Sequence, residues 1–257
     1  MNRMKLWLTL VGVLAAFPLV AQQRQRQRPV RAEIEVRRWK PTLVADWRFG
    51  GTGDSFDPST ELGLESQQSF SIHSAISITR RLRVRLARVS FSYDNEAPAA
   101  TPLSFGNTPI GLDEPVTTRL EIVQLAGGVE FDLVHSQDGF LAVVGDYAQF
   151  RAEPSLRVRG VDLSGEFTDL RLPAFGIKTR LNLTPALFAG VEAIGMKREA
   201  EGVYTDFTAS VGYGVTPNIY ISYGYRNLYT RDKTVEPAGD RAVYRLRSNF
   251  VGVIIRF

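Results

Sequence analysis

Apolar and polar residues alternate along most of this chain with the two-residue period of β-strands. Within 67–79, for example, Phe70 and Ile72 share one face, while His73 lies on the other. Similar segments recur between clusters of turn residues. The pattern predicts strands at 42–49, 67–79, 82–93, 119–134, 140–151, 166–181, 186–198, 203–215 and 219–229, with a tenth after residue 240 and a break or bulge near Pro173.

The predicted connections differ in length. Short turns lie near Arg80, Gln137, Thr184 and Pro217, and longer connections alternate with them, the longest covering 95–117. An even number of strands closes an antiparallel barrel with both chain ends on the short-turn side. Eight strands are the alternative, if 42–49 and a weak neighbour lie outside the barrel. A soluble sandwich or lipocalin-like barrel would show similar alternation.

The N-terminus predicts export. Basic residues Arg3 and Lys5 precede an apolar stretch over 6–20, and small Ala21 precedes a polar run, which together indicate a signal peptide over 1–21. The apolar stretch is shorter than the roughly 20 residues of a membrane-spanning helix. The sequence has no cysteine, which excludes a lipoprotein anchor, disulfides and thiolate metal sites.

The last strand carries the resemblance to a known class. Phe257, Ile255 and Val253 share a face, and Gly252 lies on the opposite one. This strand resembles the closing strand of Gram-negative outer-membrane β-barrels, where the barrel assembly machinery reads the terminal aromatic residue. The resemblance, to the small barrels that include the OmpA type, implies an all-β, antiparallel up-and-down transmembrane barrel over 41–257. It implies a bacterial outer-membrane location beside outer-membrane lipids and lipopolysaccharide, with Gly252, Ile255 and Phe257 as the assembly signal.

A barrel of eight to ten strands has little internal space, so inward side chains largely fill it. Charges held out of water need partners. We therefore expect the inward polar residues to form a mutually neutralising network, and a narrow channel for ions or small solutes is the alternative. The predicted inward set is His73, Arg83, Arg85, Gln124, Glu130, Asp132, Asp146, Glu192, Asp206, Arg226 and Arg256.

The residues favour a structural or surface-interaction role over catalysis. Barrels of this size that modify lipid A or cleave proteins mostly use a histidine near the outer rim. Here His73 lies mid-strand near Ser71, and His135 adjoins a short turn. With no metal cluster or cofactor motif, we expect a monomeric barrel without a cofactor and without catalysis. The net charge of +4 lacks the aromatic and basic interleaving of nucleic-acid binding.

Residues 22–40 are rich in arginine and glutamine and do not alternate as one strand. Such a run predicts a solvated, basic periplasmic segment. The alternative is a periplasmic arm that touches anionic lipid headgroups or cell-wall polymers.

Overall fold

The computed structural model describes residues 32–48, 55–105, 108–164, 168–236 and 240–257. The predicted signal peptide, 1–21, lies outside these ranges. Within them, no helix is long and apolar enough to cross a membrane. The described chain forms one single-turn helix and a series of strands, in the order β1 (Ala32–Trp39), β2 (Thr42–Arg48), α1 (Pro58–Glu61), β3 (Ser69–Ser77), β4 (Leu82–Pro98), β5 (Leu103–Phe105), β6 (Thr108–Ile110), β7 (Pro115–Ser136), β8 (Gly139–Val158), β9 (Val161–Ser164), β10 (Thr168–Asn182), β11 (Leu187–Arg198), β12 (Gly202–Gly214), β13 (Ile219–Asp232) and β14 (Arg241–Arg256).

Ten of these strands close an antiparallel barrel. Each hydrogen-bonds to its neighbours in the order β1, β3, β4, β7, β8, β10, β11, β12, β13 and β14, and β14 returns to pair with β1. Strand β2 continues the line of β1 along β14, with Leu43 opposite Leu246 where β1 has Trp39 opposite Phe250. The predicted ten-strand barrel is confirmed, and the eight-strand alternative is wrong.

The first barrel strand begins earlier than the sequence predicted. Residues 32–39, expected to belong to a solvated tail, form β1, which pairs with both β3 and β14. The reason is a short alternation of Ile34 and Val36, which face outward, with Glu33 and Glu35, which face inward. The boundary predicted at residue 41 is therefore wrong. The remainder of the predicted tail, 22–31, lies outside the described residues.

The two ends of the barrel differ as predicted, except that the connection between β11 and β12 at the long-loop end, 199–201, is as short as the turns at the other end. Turns over 78–81, 137–138, 183–186 and 215–218 form what we call the short-turn end. The connections between β4 and β7, β8 and β10, and β13 and β14 lie at the opposite, long-loop end. The segment 95–117 is more regular than predicted, because β4 and β7 remain paired as far as Pro98 and Pro115 and the β5–β6 hairpin lies beyond them.

Strand β10 is continuous through Pro173, where the sequence predicted a break or bulge. Pro173 pairs with Tyr147 of β8, but pairing with β11 begins only at Phe175. Proline cannot donate a backbone hydrogen bond, and it is tolerated where a strand has a neighbour on one side only. The register shift that the structure does contain lies in β7, between Asp132 and Val134.

The outer face changes polarity along each barrel strand. On β8, Leu141 and Val143 point outward near the short-turn end, whereas beyond Tyr147 the outward residues are Gln149 and Arg151. The apolar part forms a continuous ring around the barrel, which we call the apolar belt. We call the part of the barrel at the height of this belt the membrane zone. Each barrel strand contributes to the belt: Val36, Ile72, Leu86, Val129, Val143, Ile177, Val191, Val211, Ile221 and Val253 are all exposed.

The inner face changes in the opposite sense. On β8, Asp146 points into the membrane zone, and Phe150 and Leu156 point into the part nearer the long-loop end, which we call the projecting zone. Almost fully buried side chains from seven strands fill that zone and form what we call the apolar layer: Trp47, Tyr93, Ile122, Phe150, Leu172, Leu228 and Leu246. Phe56 and Leu62, from the α1 segment, cover it.

Candidate functional site

The centre of the membrane zone is organised around Glu130 of β7, which is completely buried. Three cations from two strands contact its carboxylate. Arg83 Nε and Arg85 Nη1, on β4, lie 3.2 and 3.1 Å from it, and Lys178 Nζ, on β10, lies 2.6 Å from it. Because β4 and β10 both supply cations, the carboxylate links strands that are not neighbours in the sheet.

Arg85 extends this cluster across the lumen. Its Nη2 donates to Glu192 of β11 at 2.7 Å, and its Nε lies 3.3 Å from Asp146 of β8. Lys178 lies 3.6 Å from Glu192 as well. Arg83 also pairs with Asp132, so four acids and three cations form one network inside the barrel, in which each buried charge has a partner of opposite sign.

A second cluster lies directly beneath the apolar layer. Arg226 of β13 donates from Nε to Asp206 at 2.9 Å and from Nη2 to Gln124 at 2.8 Å. Gln124 in turn donates to the Tyr204 hydroxyl at 2.6 Å. The Arg226 guanidinium also lies 5.2 Å from the ring centroid of Trp39, a distance suited to a cation–π contact.

A third cluster lies nearer the short-turn end, around Glu33 of β1. Arg180 donates from Nη1 and Nη2 to its two carboxylate oxygens at 2.8 and 2.9 Å, and Arg256 Nε donates at 2.9 Å. The Arg256 guanidinium stacks 4.0 Å from the Tyr220 ring centroid. The lumen therefore carries paired charge throughout the membrane zone.

The two histidines lie in different places. His73 Nε2 is 3.3 Å from Ser71 Oγ on the inner face of β3. His135 Nδ1 is 2.8 Å from Asp132 Oδ2 beside the short turn after β7. The apolar layer lies between the Ser71 and His73 pair and the long-loop end.

The structure places the whole predicted inward set on the inner face and distributes most of it among these three clusters. Sequence reasoning missed several members. Glu33, Glu35 and Arg37 were assigned to the tail, although they alternate with Ile34 and Val36. Lys178 and Arg180 were not included, although they alternate with the outward Ile177 and Leu181, a signal that could have found them.

A cavity of about 60 Å³ lies within the membrane zone. Its walls include Glu35, Arg37, His73, Glu192 and Thr208. A water molecule needs about 10–15 Å³ of such space, so the cavity has room for a few waters. In the described part of the chain, no group of histidine, aspartate and glutamate side chains could hold a metal ion.

The carboxylate of Glu114 links two turns at the long-loop end. The backbone N–H of Gly111 donates to Glu114 Oε2 at 2.9 Å, and Arg159 Nη2 donates to the same oxygen at 3.0 Å. The Gly111 hydrogen bond and the nearby Arg159 charge hold the pKa of Glu114 below its usual value. This carboxylate therefore stays ionised and ties the turn before β7 to the turn after β8.

No protein-family model and no curated protein matches the chain. Among solved structures, the outer membrane protease OmpT of Escherichia coli superposes with a TM-score of 0.58 and 10% identity, over 92% of this chain and 100% of that one. The attachment invasion locus protein Ail of Yersinia pestis gives a TM-score of 0.39 and 9% identity, over 90% and 100%. Neisserial surface protein A gives 0.36 and 16%, over 88% and 97%.

At this identity, the similarity to OmpT shows the fold alone, which is that of an outer-membrane barrel. The apolar belt supplies independent support, because exposed Val, Ile and Leu on every strand would be costly in water and suit hydrocarbon. Membership of the OmpA-type group stays a prediction. The closed ten-strand barrel, its apolar belt and the fold shared with OmpT together identify the chain as a β-barrel protein of the bacterial outer membrane.

Proposed function

We propose that the protein is a sealed outer-membrane barrel with a structural or surface-interaction role, and that side chains fill its lumen. The apolar layer is the observation that carries this proposal. Ile122 and Leu246 are completely buried there, and Phe150 packs 5.4 Å, between ring centroids, from Tyr244. An ion crossing such a layer would lose its water without gaining polar partners, which is costly.

A narrow channel is the second candidate, favoured by the cavity in the membrane zone. That cavity has room for only a few waters and lies on the short-turn side of the apolar layer. Conduction would therefore require both separation of the Arg85, Glu130 and Glu192 cluster and opening of the layer. Because both are closed, the sealed barrel is the better supported reading.

Strand length supports a role outside the membrane. Strands β7 and β8 contain 22 and 20 residues. A strand needs only roughly 9–11 residues to cross the hydrocarbon core. About half of each strand therefore extends beyond the lipid, where its outer face is polar. A rigid sheet held above the membrane surface suits contact with other molecules.

A lipid-modifying enzyme is less well supported. The chain contains two histidines, His73 in the membrane zone and His135 beside a short turn. A histidine-dependent activity at the long-loop end would lack its general base. The Ser71 and His73 pair has suitable spacing, but the apolar layer covers it on that side.

Single-channel recording in planar bilayers tests the proposal, with a general porin as the positive control and an unboiled gel to show that the inserted protein is folded. We expect baseline current. Steady ion-selective steps whose selectivity changes in Glu130→Gln would replace the proposal with the channel.

Mass spectrometry of lipid A from cells with and without the protein tests the enzyme alternative. We expect identical acylation. Loss of an acyl chain that is restored in Ser71→Ala cells would establish catalysis instead.

A further inference from the structure

Most outward arginines of the projecting zone pair with a neighbouring acid. Arg151 lies 2.6 Å from Glu153, on the next outward position of β8. Arg171 lies 2.6 Å from Asp169, and Arg119 pairs with Glu121 in the same way. Arg157 of β8 lies 2.7 Å from Asp162 of β9. The wall formed by β7, β8, β9 and β10 thus carries arginines whose charges are already balanced.

The opposite wall carries the paired cations Arg241 and Arg231, and also four cations for which the described residues supply no acid. Arg38 and Lys40, at the end of β1, and Arg245 and Arg247, on β14, are all exposed and outward, and we call them the basic patch. In the register of these strands, Arg38 opposes Val251, and Arg247 opposes Thr42. The four side chains therefore form a row in which Lys40 lies diagonal to Arg247, successive members are roughly 7 Å apart, and Arg38 and Arg245 are roughly 20 Å apart along the strands.

No ion pair involves the basic patch within the part of the chain that the structure describes. Arg38 donates to the amide oxygen of Gln68, and the Arg245 guanidinium lies 5.4 Å from the ring centroid of Tyr229. The outward neighbours in register include Asn227 and Tyr229, which are uncharged. Successive like charges along this row repel one another, so an external anion would stabilise the arrangement.

The basic patch begins with Arg38 at the edge of the apolar belt, and this height indicates which anion is available. Arg38 pairs in register with Phe70 on one side and Val251 on the other, and both are exposed members of the belt surface. Tyr225, also exposed, lies on the same side of the barrel. Basic and aromatic side chains at the edge of an apolar surface lie at the level of lipid headgroups. The belt edge in question is the one nearer the long-loop end, which faces outward in this class of barrel.

We propose that the basic patch binds the phosphate groups of lipopolysaccharide in the outer leaflet. Lipopolysaccharide and glycerophospholipids both carry phosphate esters, but a glycerophospholipid presents one phosphate on a small headgroup. Lipopolysaccharide carries several anionic groups on one molecule. A patch of four cations on two strands matches such a polyanion, because a single phosphate would leave part of the charge unbalanced.

Two variants with equal changes in charge test the proposal. The patch variant combines Arg38→Gln, Lys40→Gln, Arg245→Gln and Arg247→Gln. The control variant combines Arg119→Gln, Arg151→Gln, Arg157→Gln and Arg171→Gln, all of which have acidic partners. The purified full-length proteins, shown to be folded by their mobility on unboiled gels, would be titrated in detergent with bisphosphorylated lipid A. Native mass spectrometry would count the bound lipids.

We expect the parent and control variant to retain lipid A and the patch variant to bind at least about ten-fold more weakly, since each basic residue near an anionic surface contributes about a five-fold effect. Dephosphorylated lipid A and phosphatidylglycerol serve as further probes and should bind the parent weakly. Equal loss in both variants would overturn the proposal, because net charge alone would then explain binding. Equal retention of dephosphorylated lipid A would assign binding to the acyl chains, and equal binding of phosphatidylglycerol would assign the patch to glycerophospholipids.

Discussion

Arg180 of β10 reaches across the lumen to Glu33 of β1, donating two hydrogen bonds to its carboxylate at 2.8 and 2.9 Å. Arg256 of the last strand donates to the same carboxylate. Glu33 thus joins the first barrel strand both to its closing partner and to a strand on the far wall. This contact is well placed to hold the barrel closed.

Replacing Glu33 with glutamine should be strongly destabilising. Two arginines would lose the acid that balances them inside the barrel, and breaking such a pair costs about 3–5 kcal/mol. Unfolding by urea in liposomes or detergent would measure the loss. Asp162→Asn is the control, because its pair with Arg157 is fully exposed and exposed ion pairs contribute little to stability. Equal costs for the two variants would contradict the role assigned to Glu33.

Glu130→Ala should cost more stability than Arg83→Ala. Removing Glu130 leaves Arg83, Arg85 and Lys178 near one another without their common anion. Removing Arg83, by contrast, leaves Glu130 with two cations and Asp132 with His135. We expect about 3 kcal/mol or more for Glu130→Ala and a smaller loss for Arg83→Ala, with the double variant less destabilised than the sum. Additive losses in a double-mutant cycle would show that the two residues act independently.

An arginine introduced on the outer face of β7 should cost much more stability within the apolar belt than in the projecting zone. Val129 and Thr117 both point outward on β7, but Val129 lies in the apolar belt, and Thr117 lies in the projecting zone. Val129→Arg should cost about 2–4 kcal/mol in a bilayer, whereas Thr117→Arg should cost about 0–1 kcal/mol. Chemical denaturation in liposomes would compare them. A tolerated arginine at Val129 would move the membrane away from the belt.

The long-loop end should face the cell exterior. An epitope tag inserted after Asp113, between β6 and β7, should be detected on intact cells, and tags after Gln137 or Asn218, in short turns, should be detected only after the outer membrane is permeabilised. Flow cytometry with and without permeabilisation gives the comparison. Detection of the Gln137 tag on intact cells would mean that the barrel is inserted in the reverse orientation.

The alternation of the sequence was sufficient to predict most barrel strands, because one face meets hydrocarbon and the other meets charge. On β7 it correctly placed Val129 and Phe131 outward and Glu130 inward. It failed for β1, where Ile34 and Val36 are the only large outward apolar residues and follow a long run of arginine and glutamine. Two apolar positions beside so many charges resemble a solvated segment until the partner strands are known.

The change of polarity along the strands was present in the sequence but was not recognised. On β8 the apolar residues occupy odd positions at Leu141 and Val143 and even positions at Phe150 and Leu156. This shift of phase marks the upper edge of the apolar belt. Contacts across the lumen, such as Arg180 to Glu33, could not be predicted, because alternation gives the face of a residue but not its partner on a distant strand.

The change of polarity along the strands also favours one register between neighbouring strands during assembly. In a uniformly alternating strand, a slip of two residues returns every side chain to its original face and carries little penalty. Here such a slip between β7 and β8 would move Arg151 from beside Val123 to beside Leu125, placing a guanidinium within the hydrocarbon layer. The change of polarity therefore lies at the same height on all ten strands. A barrel closed in a shifted register would be destabilised, because it would expose charged side chains to hydrocarbon.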